Sequence, residues 1–193
     1  MIQRKFVHAF FICLGLGAFS LGCESGGVGD PCTPEDEYQA AFQGFSAAEV
    51  NIESRSFQCE TRVCLVNHFQ GRVSCPYGQT RAEIDSDADT RCYVPGTSDP
   101  VTVEVKPQLV NRKAADTVYC SCRCDGPDPN GSYCECPSGY TCTELLKDIG
   151  LGDKELAGSY CIKDGTEYVS DAIGSGRECD RAKLECGNPD GIP

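Results

Sequence analysis

Cysteine is the residue type with the most chemistry to offer in this chain, which holds 16 of them in 193 residues. Oxidised, they are cross-links. Reduced, they would be thiolate metal ligands or nucleophiles, and an exported chain favours the oxidised form. Histidine is scarce: only His8 and His68 are present. A serine or cysteine nucleophile paired with a histidine base would have to use His68. No Gly-x-Ser-x-Gly elbow accompanies it. Carboxylates are abundant, but no spacing marks an acid/base pair among them. Asp85, Asp87 and Asp89 alternate as hard-cation ligands do. The calcium-loop pattern also needs Gly at its sixth place and Glu at its twelfth, where this chain has Thr90 and Gly96. Asp125, Asp128 and Asn130 make a second oxygen-rich turn without a full pattern. Solvated acidic loops account for both clusters, and no cofactor is implied.

These residues follow a leader. Arg4 and Lys5 open it, residues 6–19 are almost uncharged, and small residues precede Cys23, which are the three zones of a secretory signal. His8, Gly15 and Gly17 interrupt the apolar run, which is also at the short edge for a spanning helix. Residues 1–22 are therefore read as a signal peptide. Leu21-Gly22-Cys23 resembles the end of the processing box of bacterial lipoproteins, in which the cysteine thiol takes a diacylglycerol. Ser20 stands where leucine is usual in that box. The rival is ordinary cleavage after Ser20. Parity bears on the choice: removing Cys13 with the leader and giving Cys23 to lipid leaves fourteen of the 16 cysteines, an even number. Cleavage after Ser20 would leave one thiol over. Residues 23–31 then read as the lipidated cysteine and a flexible, Gly-rich tether. Glu24 is not the aspartate that often retains such proteins at the inner membrane, so the resemblance implies the outer membrane.

The body from Glu24 to Pro193 is one small domain or two. Losing Arg4 and Lys5 takes the formal charge from −12 to −14. A surface so acidic repels nucleic acid, which is excluded as a partner. With Gly 21, Pro 11 and no Trp, the chain is turn-rich and poor in bulky core residues. Cross-links then carry part of the stability.

Local patterns fill in the elements. Thr33, Pro34 and the acidic Glu35, Asp36 and Glu37 form a helix-start signal. Tyr38, Ala41, Phe42 and Phe45 recur at helical spacing, so a helix of two or three turns is expected before Ser46. Strands are expected from Val50, near residues 62–69, over Val101, Val103 and Val105, over residues 117–124, and over residues 159–162. A turn at Gln70-Gly71 would fold residues 72–75 back. Residues 143–150 read as one or two helical turns. The fold class is a small disulfide-rich, mainly β domain over residues 32–163, with one or two short helices. Residues 164–193 are a loosely ordered tail tied by its cysteines.

Most of the cysteine pairing is open, and bridges from Cys120, Cys122 and Cys124 to other strands stand beside two local readings. Residues 125–133 should reverse the chain. An antiparallel register with constant index sum would set Cys124 opposite Cys134 and Cys122 opposite Cys136, close enough to bridge. Residues 134–142 resemble the tail of an EGF-like module, and that resemblance implies Cys136–Cys142 instead. The leading functional expectation is a lipid-anchored cell-envelope protein, of the kind found among cysteine-rich Gram-negative lipoproteins, binding a protein or cell-surface partner or serving a structural role. The alternatives are an exported enzyme using carboxylates or His68, and a divalent-cation-binding surface protein.

Overall fold

Val50–Glu53 (β1), Val63–Asn67 (β2) and Val118–Ser121 (β3) form an antiparallel sheet in the order β1-β2-β3. A computed structural model describes residues 26–86, 90–150, 156–167 and 176–186. Arg123–Asp125 (β4), Tyr140–Leu146 (β5) and Gly158–Lys163 (β6) form a second antiparallel sheet, in the order β4-β6-β5. The α-helices Arg81–Asp85 (α1) and Ala114–Thr117 (α2) are each about one turn long. The fold is thus small, disulfide-rich and mainly β.

Strand β2 is buried on both faces, which is why Val63-Cys64-Leu65-Val66 shows no polar alternation. Cys64 and Val66 face Cys32, Phe45, Cys59, Phe69, Val118 and Cys120. Leu65 and Tyr119 point the other way, against Ile162 of the second sheet. Half of the first cluster's eight buried residues are cysteines. The bridges Cys32–Cys64 and Cys59–Cys120 therefore supply core volume as well as cross-linking. A third cluster joins Cys75, Cys92, Val94, Val101 and Val105. The expected alternation of Val101, Val103 and Val105 is kept there, but only isolated bridges such as Gln79 to Val105 form, not a strand.

The stretch expected as one strand over residues 117–124 is divided at Cys122. Before it the chain pairs with β2, and after it with β6. The two sheets are sewn together at this point. Ser121 Oγ donates to Cys161 O at 2.8 Å, Cys161 N to Cys122 O at 3.1 Å, and Lys163 N to Tyr119 Oη at 2.8 Å.

The break overturns the expected hairpin. Tyr133 to Cys136 form no strand, and β4 takes β6 as its partner through Arg123 with Tyr160 and Asp125 with Ser159. The proposed pairs Cys124–Cys134 and Cys122–Cys136 do not form, nor does the module-like Cys136–Cys142. The bridges are Cys122–Cys134, Cys124–Cys142 and Cys136–Cys161. They lie together: Cys161 Sγ is 3.5 Å from Cys122 Sγ and 3.8 Å from Cys134 Sγ. Cys75–Cys92 and Cys179–Cys186 complete seven.

Two helix expectations are corrected. After Pro34 only a single 3-10 turn forms, Glu35–Tyr38. Arg72 intervenes: its Nη1 takes the carbonyls of Gln39 and Phe42, at 3.2 and 3.0 Å, which a continuing helix would need. Gly44, at φ +101, then packs so closely on Gly71 that a Cβ there would meet the Gly71 backbone at 2.7 Å. Gly71 pairs with Phe45, so residues 72–75 do not return along β2. Residues 143–146, expected to be helical, belong to β5. Thr141 and Thr143 suit a strand, and Cys142 lies opposite Cys161.

Both ends of the domain also differ from expectation. Residues 26–31 are not a free tether in this structure. Gly26 N donates to Gln58 O at 2.7 Å, Glu60 N to Gly26 O at 2.9 Å, and Gly29 N to Cys120 O at 2.8 Å. In the tail, Cys179 pairs with Cys186 only seven residues on, so that bridge does not tie the tail to the body. Backbone bonds do so instead, from Val110 N to Arg177 O at 2.9 Å and from Cys179 N to Gln108 O at 2.8 Å. The expected signal peptide and Cys23 lie outside the described residues.

Candidate functional site

A concavity follows from the break at Cys122. Where the chain leaves one sheet for the other, it opens a groove of about 830 Å³. Ser54, Thr61 and Val63 of the first sheet and its preceding loop form one wall. The reversal after β4 forms the other, through Pro127, Asp128, Pro129 and Tyr133. Arg123 and Tyr160 belong to its lining.

This wall is held by short-range bonds. Tyr133 Oη donates to Asp128 O at 2.6 Å, and Asn130 N to Asp128 Oδ1 at 2.9 Å. The Arg123 guanidinium lies 5.2 Å from the centre of the Tyr133 ring. Gly131 is needed beside it, because a Cβ there would meet the Tyr133 ring at 2.6 Å. Tyr160 donates to Leu156 O at 2.7 Å, and burial pushes its phenol up while Arg123 pulls it down. A planar cation on an aromatic ring and two prolines can hold an extended or ring-bearing ligand by stacking.

A smaller cleft of about 240 Å³ lies between Glu35, Asp36 and β1. Glu53 lines it and accepts from Glu35 N at 3.0 Å. Burial pushes the Glu53 carboxyl up, and the charges of Glu35 and Asp36 add to this.

His68 lines neither cavity. It is 8% exposed, with Nδ1 3.1 Å from Ala47 O. Burial pushes its imidazole down, and the nearby Arg112 adds to this. Arg112 itself donates to the carbonyls of His68 at 2.6 Å and Asn67 at 2.7 Å. His68 thus sits in a chain-packing junction at the end of β2. Asp85 is at the C-terminal end of α1, paired with Arg81 at 3.0 Å. Asp87 and Asp89 lie outside the described residues. Asp128 reaches the groove, and Asp125 ends β4.

Cysteine sulfurs gather within 4.8 Å in three groups: Cys32, Cys59 and Cys120; Cys122, Cys134 and Cys161; Cys124, Cys136 and Cys142. In each group two members are already one disulfide and the third is bridged elsewhere. They are adjacent cystines, not sets of thiolates ready for a metal. The turn over residues 125–133 was legible in the sequence, but its role as a groove wall was not, since that depends on the strand change at Cys122. No protein-family model, curated protein or solved structure matches the chain.

Proposed function

We propose that this protein is an exported lipoprotein of the bacterial cell envelope, anchored through Cys23, with a binding rather than catalytic body. The observation that carries this reading is the use of the cysteines. The seven bridges join all fourteen cysteines from Cys32 to Cys186 among themselves. Only Cys13, in the apolar leader, and Cys23, behind Leu21-Gly22, stand outside that set. Seven disulfides suit an oxidising, exported setting. No helix among the described residues is long and apolar enough to cross a membrane. A lipid on Cys23 would supply the attachment.

The outer membrane is the preferred site, on the strength of Glu24. The groove between the sheets is the seat for a protein or cell-surface partner. Its stacked Arg123 and Tyr133 and its polar rim suit recognition, and His68 is packed away from it. The test is peptide mass mapping of native protein from the membrane fraction, with diacylglycerol expected on the peptide that begins at Cys23. Cys23→Ser should accumulate as precursor or leave the membrane fraction. Fatty-acid labelling that persists in Cys23→Ser would sink the assignment.

A further inference from the structure

The loop over residues 55–62 has three properties that do not follow from packing the domain. First, it presents Phe57 to solvent at 80%, the most exposed large apolar side chain among the described residues. Second, it does so rigidly. Ser56 N donates to Arg62 O and Arg62 N to Cys59 O, both at 3.0 Å. Cys59 is 1% exposed and bridged to Cys120. Gln58 is fixed as well: its side chain accepts from Thr33 N at 3.0 Å and donates to Thr33 O at 2.7 Å. Arg62 adopts a left-handed φ of 65° and stacks its guanidinium 4.0 Å from the centre of the Phe57 ring. Third, the loop carries Arg55 and Arg62 against a single carboxylate, Glu60. Residues 55–62 thus carry a formal charge of +1 on a chain whose net charge is −12.

Its position relative to Cys23 gives these properties a use. Gly26 is hydrogen-bonded to both Gln58 and Glu60. Two residues, Glu24 and Ser25, lie between Cys23 and Gly26, and the three steps of chain span at most about 11 Å. If Cys23 sits at the bilayer surface, this loop is fastened within that reach of it. We infer that loop 55–62 is the membrane-facing surface of the body, with Phe57 entering the phospholipid headgroup–acyl boundary and Arg55 and Arg62 against lipid phosphates. This rests on the lipid anchor at Cys23. A single ring on a basic tip matches the chemistry of that boundary, where aromatic rings and guanidinium groups gather. One acyl-bearing residue then orients the body instead of merely tethering it, and the groove beside Ser54 and Thr61 opens next to the bilayer.

The chain has no tryptophan, so a single indole can report its own depth. The full chain would carry Phe57→Trp or, as a control, Tyr93→Trp, an exposed position beside the Cys75–Cys92 bridge. Each would be purified after processing and reconstituted into phosphatidylethanolamine–phosphatidylglycerol vesicles, with and without brominated acyl chains. The Phe57→Trp indole should shift its emission to the blue and lose most of its intensity to the bromines. The Tyr93→Trp indole should do neither. A Phe57→Trp indole left unquenched in vesicle-bound protein carrying diacylglycerol overturns the orientation and leaves the anchor standing. Equal quenching at both positions also overturns the orientation. Absence of diacylglycerol on Cys23 overturns the anchor, and the orientation with it.

Discussion

The Arg72 guanidinium and the Glu37 carboxylate meet at 3.3 Å with neither side chain exposed. Glu37 also accepts from Val73 N at 2.6 Å and from the Ser74 hydroxyl at 2.5 Å. Burial pushes its carboxyl up, while the Ser74 hydroxyl, Arg72 and the amides pull it down. Arg72 does more than neutralise it. Its guanidinium also holds the carbonyls of Glu37, Gln39 and Phe42. It thereby fixes a segment that contains one 3-10 turn and little other regular structure.

Arg72→Met should therefore cost about 3–5 kcal/mol, the range for leaving a buried charge and its neighbours unpaired. Glu37→Gln leaves Arg72 charged without its counter-ion, but the guanidinium keeps the carbonyls of Glu37, Gln39 and Phe42 and the amide oxygen can still accept from Val73 N, so it should cost less. Urea midpoints of the two variants give the order directly. If Glu37→Gln proved the more damaging, the carbonyl contacts of Arg72 would not be what holds residues 37–42.

Tyr119 gives a pH signature. Burial pushes its phenol up to about 12, from an ordinary value of 10.0. In that window the unfolded chain loses the proton and the folded chain keeps it, so stability is full below pH 10 and falls as pH rises toward 12. Two pKa units correspond to roughly 2–3 kcal/mol. Tyr119→Phe should be less stable near neutrality, because Lys163 N loses its acceptor, yet show a flatter alkaline decline. Comparing the two slopes at matched pH cancels alkaline damage to the bridges. Parallel declines would show that another group governs the alkaline limit.

Strands were readable where one residue pattern decided the outcome. Val50 and Ile52 alternate with polar neighbours in β1, and the apolar run of β2 fits burial on both faces. The helix after Pro34 was misread because its stop signal, Arg72, lies far along the chain and acts only once folded. Residues 143–146 were misread because cross-strand pairing with β6 outweighs the local pattern. The cystine pairs were hidden for a related reason. A constant register presumes one continuous strand, and Cys122 is where the strand changes sheet. At the candidate surface, Arg55 and Arg62 were visible as charges. The exposure of Phe57 was not, since nothing in its neighbours distinguishes a presented ring from a core one.

The bridges themselves should differ in weight, and the structure orders two of them. Cys59–Cys120 closes 61 residues within the main cluster, where both cysteines are buried. Cys124–Cys142 closes 18 residues, and Cys142 is exposed. Loop-closure entropy alone favours the longer bridge by roughly 1 kcal/mol. Removing Cys59–Cys120 also leaves a cavity among Phe45, Phe69 and Val118, at a further cost. Replacing each pair by alanine should therefore lower the melting temperature more for Cys59 with Cys120 than for Cys124 with Cys142. Full reduction should abolish the cooperative transition, since half of the main cluster is cystine. Digestion at acid pH, where exchange is slow, should recover Cys122 linked to Cys134 and Cys136 linked to Cys161. Recovery of Cys122 linked to Cys136 would mean that residues 133–136 pair with β4 after all, and the groove would lose its second wall.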